Sequence, residues 1–461
     1  MTGTARHVAV IDVGKTNAKL AVHDLDTGAD VFVRTEPNRV RTDGPYPHFD
    51  VERLWDFLTD ALGQAARAHP VDAISVTTHG ACAALVGDDG LALPILDYES
   101  DAPEATRRDY DAARPPFAET FSPRLPNGLN VGAQLFWLAR AFPDAFAKAR
   151  HVLTYPQYWV WRLTGVAAGE LTSLGCHTDI WQPAAGTYSA LVESQGWGRL
   201  FPPVRSAFDA VAPLRPDLAQ RLGLGGRDIP VHCGIHDSNA SLLPHVLARQ
   251  APFTVLSTGT WIIAMAVGGS LDGLDPARDT LANVDALGRA VPSSRFMGGR
   301  EFDILTEHLA AEPTADEIAA VLGSDAMALP SFAAGTGPFP NGRGEWVETL
   351  EMPGARVAAA SLYCALMTGE ALDLVGAAGP TIVEGPFARN RLFIEAVGAL
   401  TGRPAAASPG ATGTTAGAAL LAAGARPHAA APPDAPSPPD PHRDAIRRYA
   451  ERWRARLPKG G

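Results

Sequence analysis

Twice along the chain, short apolar runs flank a tight turn of small polar residues. Val8–Asp12 and Lys19–His23 enclose Val13-Gly-Lys-Thr-Asn17, while Phe253–Ser257 and Trp261–Val267 enclose Thr258-Gly-Thr260. Apolar runs separated by such turn residues predict two hairpins. In the first half the hairpin leads to a strand at Val31–Arg34, then a helix over Val51–Ala68 with Leu54, Phe57, Leu58, Ala61 and Leu62 on one stripe, then a strand at Ala73–Thr77. In the second half a long helix over Arg356–Val375 precedes a strand at Thr381–Glu384, a helix over Leu392–Leu400 and a further helix from Thr415. The order of elements, rather than repeated identities, points to an internal duplication.

The fold class expected is therefore α/β. A chain of 461 residues exceeds what one hydrophobic core usually serves, so two domains with a cleft between them are expected. The boundaries fall at residues 1–245 and 246–428, with a Pro-rich linker and a charged terminal helix over 429–461.

Composition narrows the partners. The net charge is -11 and no sustained basic run interrupts it, which leaves no footprint for nucleic acid or an anionic membrane. Phosphate remains accessible, because backbone amides and helix N-termini bind it even in an acidic protein. Cys82, Cys176, Cys233 and Cys364 lie too far apart for a zinc motif or a disulfide framework and read as reduced and mostly buried. Neither a secretory leader before Val8 nor a bulky apolar span in Ala405–Ala425 is read, so the expected location is cytoplasmic. Small molecules are the expected partners, and a homodimer is compatible with the sequence.

Gly-Lys-Thr at residues 14–16 invites a phosphate-cradling P-loop, but that loop needs a Gly where Ala9 stands, and the chain resumes a strand after Asn17 instead of starting a helix. A hairpin tip whose small residues meet phosphate from the side is the alternative, with Asp12 placed to hold magnesium through water. Ser257-Thr-Gly-Thr260 is a second tip of the same kind, and two such tips can hold phosphates from both sides. In Val231-His-Cys-Gly-Ile-His-Asp-Ser-Asn239 a strand-like run ends at a polar cluster, followed by an apolar helix start at Ala240. Asp237 is the candidate general base for an attacking hydroxyl; its structural alternative is a helix N-cap. His232 and His236 have spacing that suits a metal only on a helix, and local packing is expected of them. After the strand at residues 73–77, Thr77-Thr-His-Gly80 places His79 to bond a sugar hydroxyl or to serve as a structural residue. Gly385-Pro-Phe-Ala-Arg-Asn390, between strand and helix, offers a loop for a nucleotide base.

Together these five motifs follow the order and spacing of the FGGY carbohydrate kinases, which the chain resembles from Val8 to about Ala425. That resemblance implies two ribonuclease-H-like domains of the actin and hexokinase type, the first binding sugar and the second nucleotide. It implies Asp237 as general base, Asp12, Gly14, Lys15, Thr16 and Asn17 toward Mg²⁺ and phosphate, and Thr258, Gly259 and Thr260 at the γ-phosphate of ATP. Gly385, Phe387 and Asn390 then border the adenine, and His79, Gly80, His236 and Asp237 face the sugar. Lys15 stands where the family usually has Thr, so it is expected to carry a positive charge to the phosphates or to leave the hydroxyl role to Thr16. Gln157 replaces an Asp of many members, and with Pro292–Arg300 this resembles the L-fuculose and L-rhamnulose kinase branch more than glycerol kinase, His79-Gly80 matching the xylulose kinases. Three other readings stand beside a ketose kinase: a polyol kinase, a non-catalytic actin-like sensor, and an ATPase without sugar.

Overall fold

Val8, Ala9, Val10, Ile11 and Val13 are all buried, so the strand His7–Val13 is covered on both faces, as its unbroken apolar run requires. It pairs antiparallel with Asn17–Asp24 and parallel with Ala73–Thr78. The computed structural model describes residues 5–349, 351–408, 413–424 and 442–457. Two units emerge: Met1–Ala248 with Ala282–Ala290 and Thr412–Ala429, and Arg249–Leu281 with Val291–Ala411 and Ala430–Gly461. The expected linker over residues 429–441 lies outside the described residues.

In the first unit the sheet runs Ala210–Pro213, Pro230–His232, Ala73–Thr78, His7–Val13, Asn17–Asp24, Ala29–Pro37, and Ile235–His236 extends the pairing with Ala73–Thr78. The second unit's sheet contains, in order, Ala290–Phe296, Ile262–Val267, Phe253–Thr258, Thr381–Glu384 and Ala405–Ala407. Each has a three-strand antiparallel meander whose first strand also pairs in parallel with a later strand. The duplication is thus one of topology, carried by two unlike sequences.

Helix Val51–Ala68 forms as its stripe predicts. Leu54, Leu58, Ala61, Leu62 and Ala65 are buried under the sheet, and Asp50 caps the first turn by accepting from the Arg53 amide at 3.4 Å. Each fully buried Leu contributes roughly 1.5–3 kcal/mol. Helix Pro353–Leu374 is long and apolar enough to cross a membrane, yet it is buried in the core of the second unit. The terminal helix Arg443–Arg456 is also part of that core: Ile446, Tyr449, Ala450 and Trp453 are buried, and Trp453 Nε1 donates to the Ala328 carbonyl at 2.8 Å. All four cysteines are buried and none forms a disulfide.

Two features position the site. Residues 79–229 form a long excursion between the strands Ala73–Thr78 and Pro230–His232; part of it, with Leu85, Tyr110, Phe136 and Trp181, joins Tyr46 and Val284 in a second hydrophobic core, while Tyr155, Trp159 and Leu218 pack into the core of the sheet. Helix Asp237–Ala248 packs on helix Thr414–Leu420 so closely that a methyl on Gly417 would overlap the Ala240 carbonyl oxygen.

Candidate active site

Three parallel strands of the first unit end side by side. Asp12 lies opposite Thr77, and His236 opposite Thr78, so the chain leaves the sheet at Val13, His79 and Asp237 along one edge. The carboxyl ends of parallel strands are where α/β sheets bind ligands, because the chain turns away there and leaves a crevice. Gly234, at φ +85°, makes the kink that interrupts Pro230–His232 before Ile235–His236 resumes; a side chain there would also press on the Val76 carbonyl. Gln157, buried, steadies this kink by donating to the Cys233 carbonyl at 2.8 Å, which is a packing role for the residue that departs from the family pattern.

Asp237 opens helix Asp237–Ala248 three residues earlier than the sequence suggests. It does not cap in the usual sense: its Oδ1 accepts from the amide of the very next residue, Ser238, at 2.6 Å and from the Ser238 hydroxyl at 3.3 Å, and lies 3.2 Å from His236 Nε2, while Oδ2 takes no hydrogen bond from the described residues. Removal from water pushes the Asp237 carboxyl up to about 6, with the nearby Asp12 charge adding to the shift. His79 and His236 are lowered to about 4, both chiefly by burial, and stay neutral at working pH. The Nδ1–H of His79 donates to the Gly80 carbonyl at 2.8 Å, so Nε2 is a lone pair, buried and without a partner among the described residues. His236 Nδ1 is likewise buried and without a partner among the described residues. Gly80 is needed for this arrangement, since a Cβ there would stand 2.8 Å from His236 Nε2.

A pH dependence follows. With Asp237 in the expected role of general base, a carboxyl at about 6 would be active as the carboxylate, so kcat/KM is expected to be level above pH 7 and to fall tenfold per unit below about pH 6. A pH–rate profile that stays level down to pH 4.5 would exclude Asp237 as the titrating group. Neither histidine adds an inflection between pH 5 and 8.

Gly14, Thr16 and Asn17 form the first tip, closed by the Gly14 amide donating to the Asn17 carbonyl at 2.9 Å, with Thr16 and Asn17 exposed. The chain continues as the strand Asn17–Asp24, which removes the P-loop reading. Asp12 accepts the Thr414 hydroxyl at 2.7 Å and lies 3.3 Å from Lys19 Nζ. Lys15 departs from the expectation that it brings charge to phosphate. Its ammonium pairs with Asp97 and with Glu99 at 3.1 Å, and sits over the rings of Tyr98 and Phe49 at 4.7 and 5.2 Å. Two acids and two rings fix that cation on the side of His79, whose ring packs against both Phe49 and Tyr98.

In the second unit the tip Thr258–Thr260 and the loop at residue 385 are stitched together. Thr258 Oγ1 donates to the Glu384 carbonyl and accepts the Phe387 amide at 3.1 Å, so that hydroxyl is used inside the protein rather than offered outward. Thr260 is exposed, and its carbonyl accepts the Arg300 amide at 3.3 Å. Asn390 caps helix Arg391–Thr401 through the Phe393 amide at 3.0 Å and donates to Ser361 at 2.9 Å. These residues border a cavity of about 1010 Å³ lined by Gly259, Thr260, Gly299, Phe302, Ser361, Pro386, Phe387 and Asn390 among others. Gly299 and Phe302 escaped the sequence reading, although the Gly298-Gly299 pair opening a helix directly after a strand was the available signal. Asp97 and Tyr98 were missed as well; their signal is an acid ending the apolar run Leu91–Leu96.

The profile of the FGGY family of carbohydrate kinases, N-terminal domain, matches residues 7–244, and that of carbohydrate kinase FGGY, C-terminal domain, matches residues 250–432. The chain belongs to the FGGY carbohydrate kinases. Among solved FGGY-like structures, a carbohydrate kinase from Novosphingobium aromaticivorans is 40% identical, covering 98% of this chain and 100% of that one, with a TM-score of 0.89. A ligand-bound xylulose kinase from Lactobacillus acidophilus, at 16% identity, 98% and 97% coverage and a TM-score of 0.76, shares the fold. An L-fuculokinase from Haemophilus influenzae is 28% identical over 249 residues, 48% of each chain, so the match spans about half the length of that curated relative. The FGGY fold of two mixed α/β domains is the architecture expected from the sequence.

Proposed function

We propose that this FGGY chain transfers the γ-phosphoryl group of ATP to a hydroxyl of a small ketose of the L-fuculose, L-rhamnulose or xylulose kind. The observation that carries the reading is Asp237: an acid at a strand end, beside two buried unpartnered imidazole nitrogens, with one oxygen open and its proton affinity raised into the range a base needs. The first unit offers acceptor groups in His79 and His236, and the second offers a cavity large enough for a nucleoside. Likeness to an L-fuculokinase over about half of the chain supports the ketose class.

In this reading Asp237 orients the sugar hydroxyl and takes its proton. The oxygen lone pair forms the new bond to the γ-phosphorus as the bond to the β,γ-bridging oxygen breaks, yielding a sugar phosphate and ADP. Thr16, Asn17, Gly259 and Thr260 bring small side chains and backbone amides to the phosphates. Gly385 and Phe387 shape the base pocket, and Asn390 holds its wall.

Magnesium suits the residues present. The Asp12 charge adds to the cost of ionising Asp237, Lys19 is the one cation paired to Asp12, and no group of three or more His, Cys, Asp or Glu side chains forms a cage among the described residues. Mg²⁺ binds through one or two carboxylates while keeping several waters. Asp12 would hold it, and the ion would neutralise phosphate charge.

A coupled ADP-release assay over ketoses, deoxyketoses and pentitols tests the reading. Turnover that appears only with a sugar, and ceases with EDTA, is expected. ADP release at one rate with and without every sugar would point to an ATPase instead.

A further inference from the structure

Lys15 and Asp97 form a pair that packing does not require. Asp97 is buried and Lys15 partly so, and a lysine–carboxylate pair drawn from water is often no more stabilising than apolar residues of similar volume. Lys15 is held over two aromatic rings rather than extended to water. Only Asp97 Oδ1 is engaged, by Lys15 and by the Glu99 amide at 3.2 Å, which leaves Oδ2 without a hydrogen bond from the described residues.

The pair is linked to the proposed acceptor site by direct contact. Lys15 and His79 share the rings of Phe49 and Tyr98, His79 to Phe49 at 5.1 Å and to Tyr98 at 5.3 Å between centroids. The His79 amide donates to the Val13 carbonyl, two residues before Lys15, at 3.0 Å. Gly80 abuts His236, whose Nε2 lies 3.2 Å from Asp237 Oδ1. An ammonium, an open carboxylate oxygen and an unpartnered imidazole nitrogen therefore line one run that ends at the proposed base. Ammonium donors and carboxylate acceptors suit hydroxyl groups, which both donate and accept. The charge along the run is unfavourable to an anion: Asp97, Glu99, Asp237 and Asp12 outnumber Lys15 and Lys19.

We propose that Lys15 and Asp97 read the sugar, bonding neighbouring hydroxyls away from the one that faces Asp237, and that they restrict the acceptor to uncharged ketoses and polyols, rejecting sugar acids. This deepens the kinase reading above and rests on it. A substrate carboxylate placed here would meet Asp97 and Glu99 while the ammonium is already neutralised, so discrimination comes from repulsion as well as attraction.

The test combines steady-state kinetics with ligand-induced thermal shifts, using matched neutral ketoses and aldonates and, separately, ATP. Lys15→Met is expected to raise the KM for sugar about 10- to 100-fold, the factor for losing one charge-assisted hydrogen bond, while the KM for ATP stays within about twofold. Lys15→Arg recovers part of the sugar KM. Asp97→Asn releases the ammonium and raises kcat/KM for aldonate relative to ketose. A Lys15→Met protein whose ATP KM rises as much as its sugar KM, or a wild type that uses aldonates as well as ketoses, overturns the proposal while leaving the kinase reading intact. If no compound supports ADP release, the kinase reading fails. The thermal shifts then still decide this inference: loss of the ketose-induced shift in Lys15→Met with the ATP-induced shift retained supports it, and an unchanged ketose shift sinks it.

Discussion

Asp237→Asn is expected to lower kcat by about 10² to 10⁴ with little change in the KM for ATP, the contribution of a positioned base. The same variant is expected to melt at or above the wild-type temperature at pH 7 to 8. Burial raises the Asp237 carboxyl to about 6, above its unfolded value, so the folded state holds the proton more tightly than the unfolded state does. The ionised side chain therefore costs stability at neutral pH, and an amide removes that cost. As the pH falls through 6 toward 4, wild type binds its proton in the folded state first and the gap in Tm closes. An inert variant that is also less stable at pH 8 would signal a structural loss rather than a missing base. Near wild-type turnover in a folded Asp237→Asn protein would falsify the assignment.

The second large effect is expected at Gly385. Its backbone sits at φ +80° and ψ -159°, a region almost confined to glycine, and a methyl would overlap the Thr258 carbonyl oxygen, which is backbone and cannot swing away. The conformational strain costs roughly 1–3 kcal/mol, and the overpacking costs about as much again. Against a total stability of about 5–15 kcal/mol, Gly385→Ala is expected to lower the unfolding transition of the second unit by many degrees and to weaken ATP binding in whatever fraction folds. Gly28→Ala is the control: φ is +68° there, but nothing lies within 4 Å of the added atom, so only the backbone term is lost. Equal melting temperatures for the two variants would show that the contact with Thr258 relaxes freely.

Where local chemistry decides, the sequence was readable. The two hairpins follow from small polar residues between apolar runs, helix Val51–Ala68 from its stripe, and Asp237 from an acid at a strand end. Where distant residues decide, the sequence says less. Lys15 stands in the tip with Gly14 and Thr16, so adjacency along the chain suggested phosphate; its direction is set by Phe49, Asp97 and Tyr98, which no spacing near residue 15 reveals. Thr258 and Asn390 have the right chemistry for ligand contacts, but one hydroxyl is taken by Glu384 and Phe387 and one amide by a helix end. The assignment of residues 282–290 and 412–429 to the first unit, and of the terminal helix to the second, depends on packing between segments far apart in sequence. Arg443–Arg456 read as a charged tail because its buried face is only Ile446, Tyr449, Ala450 and Trp453.

The excursion over residues 79–229 carries Asp97 and Tyr98, and part of it, around Leu85, Tyr110, Phe136 and Trp181, packs in a core apart from that of the sheet edge to which Asp12 and Asp237 belong. Drift among the residues of that second core leaves the packing under the sheet edge, and with it Asp12 and Asp237, standing. Such a division lets a lineage change which compound it consumes in few steps, and it marks the part of residues 79–229 that lies outside the sheet's core as the segment to diversify when a new acceptor is sought by laboratory evolution.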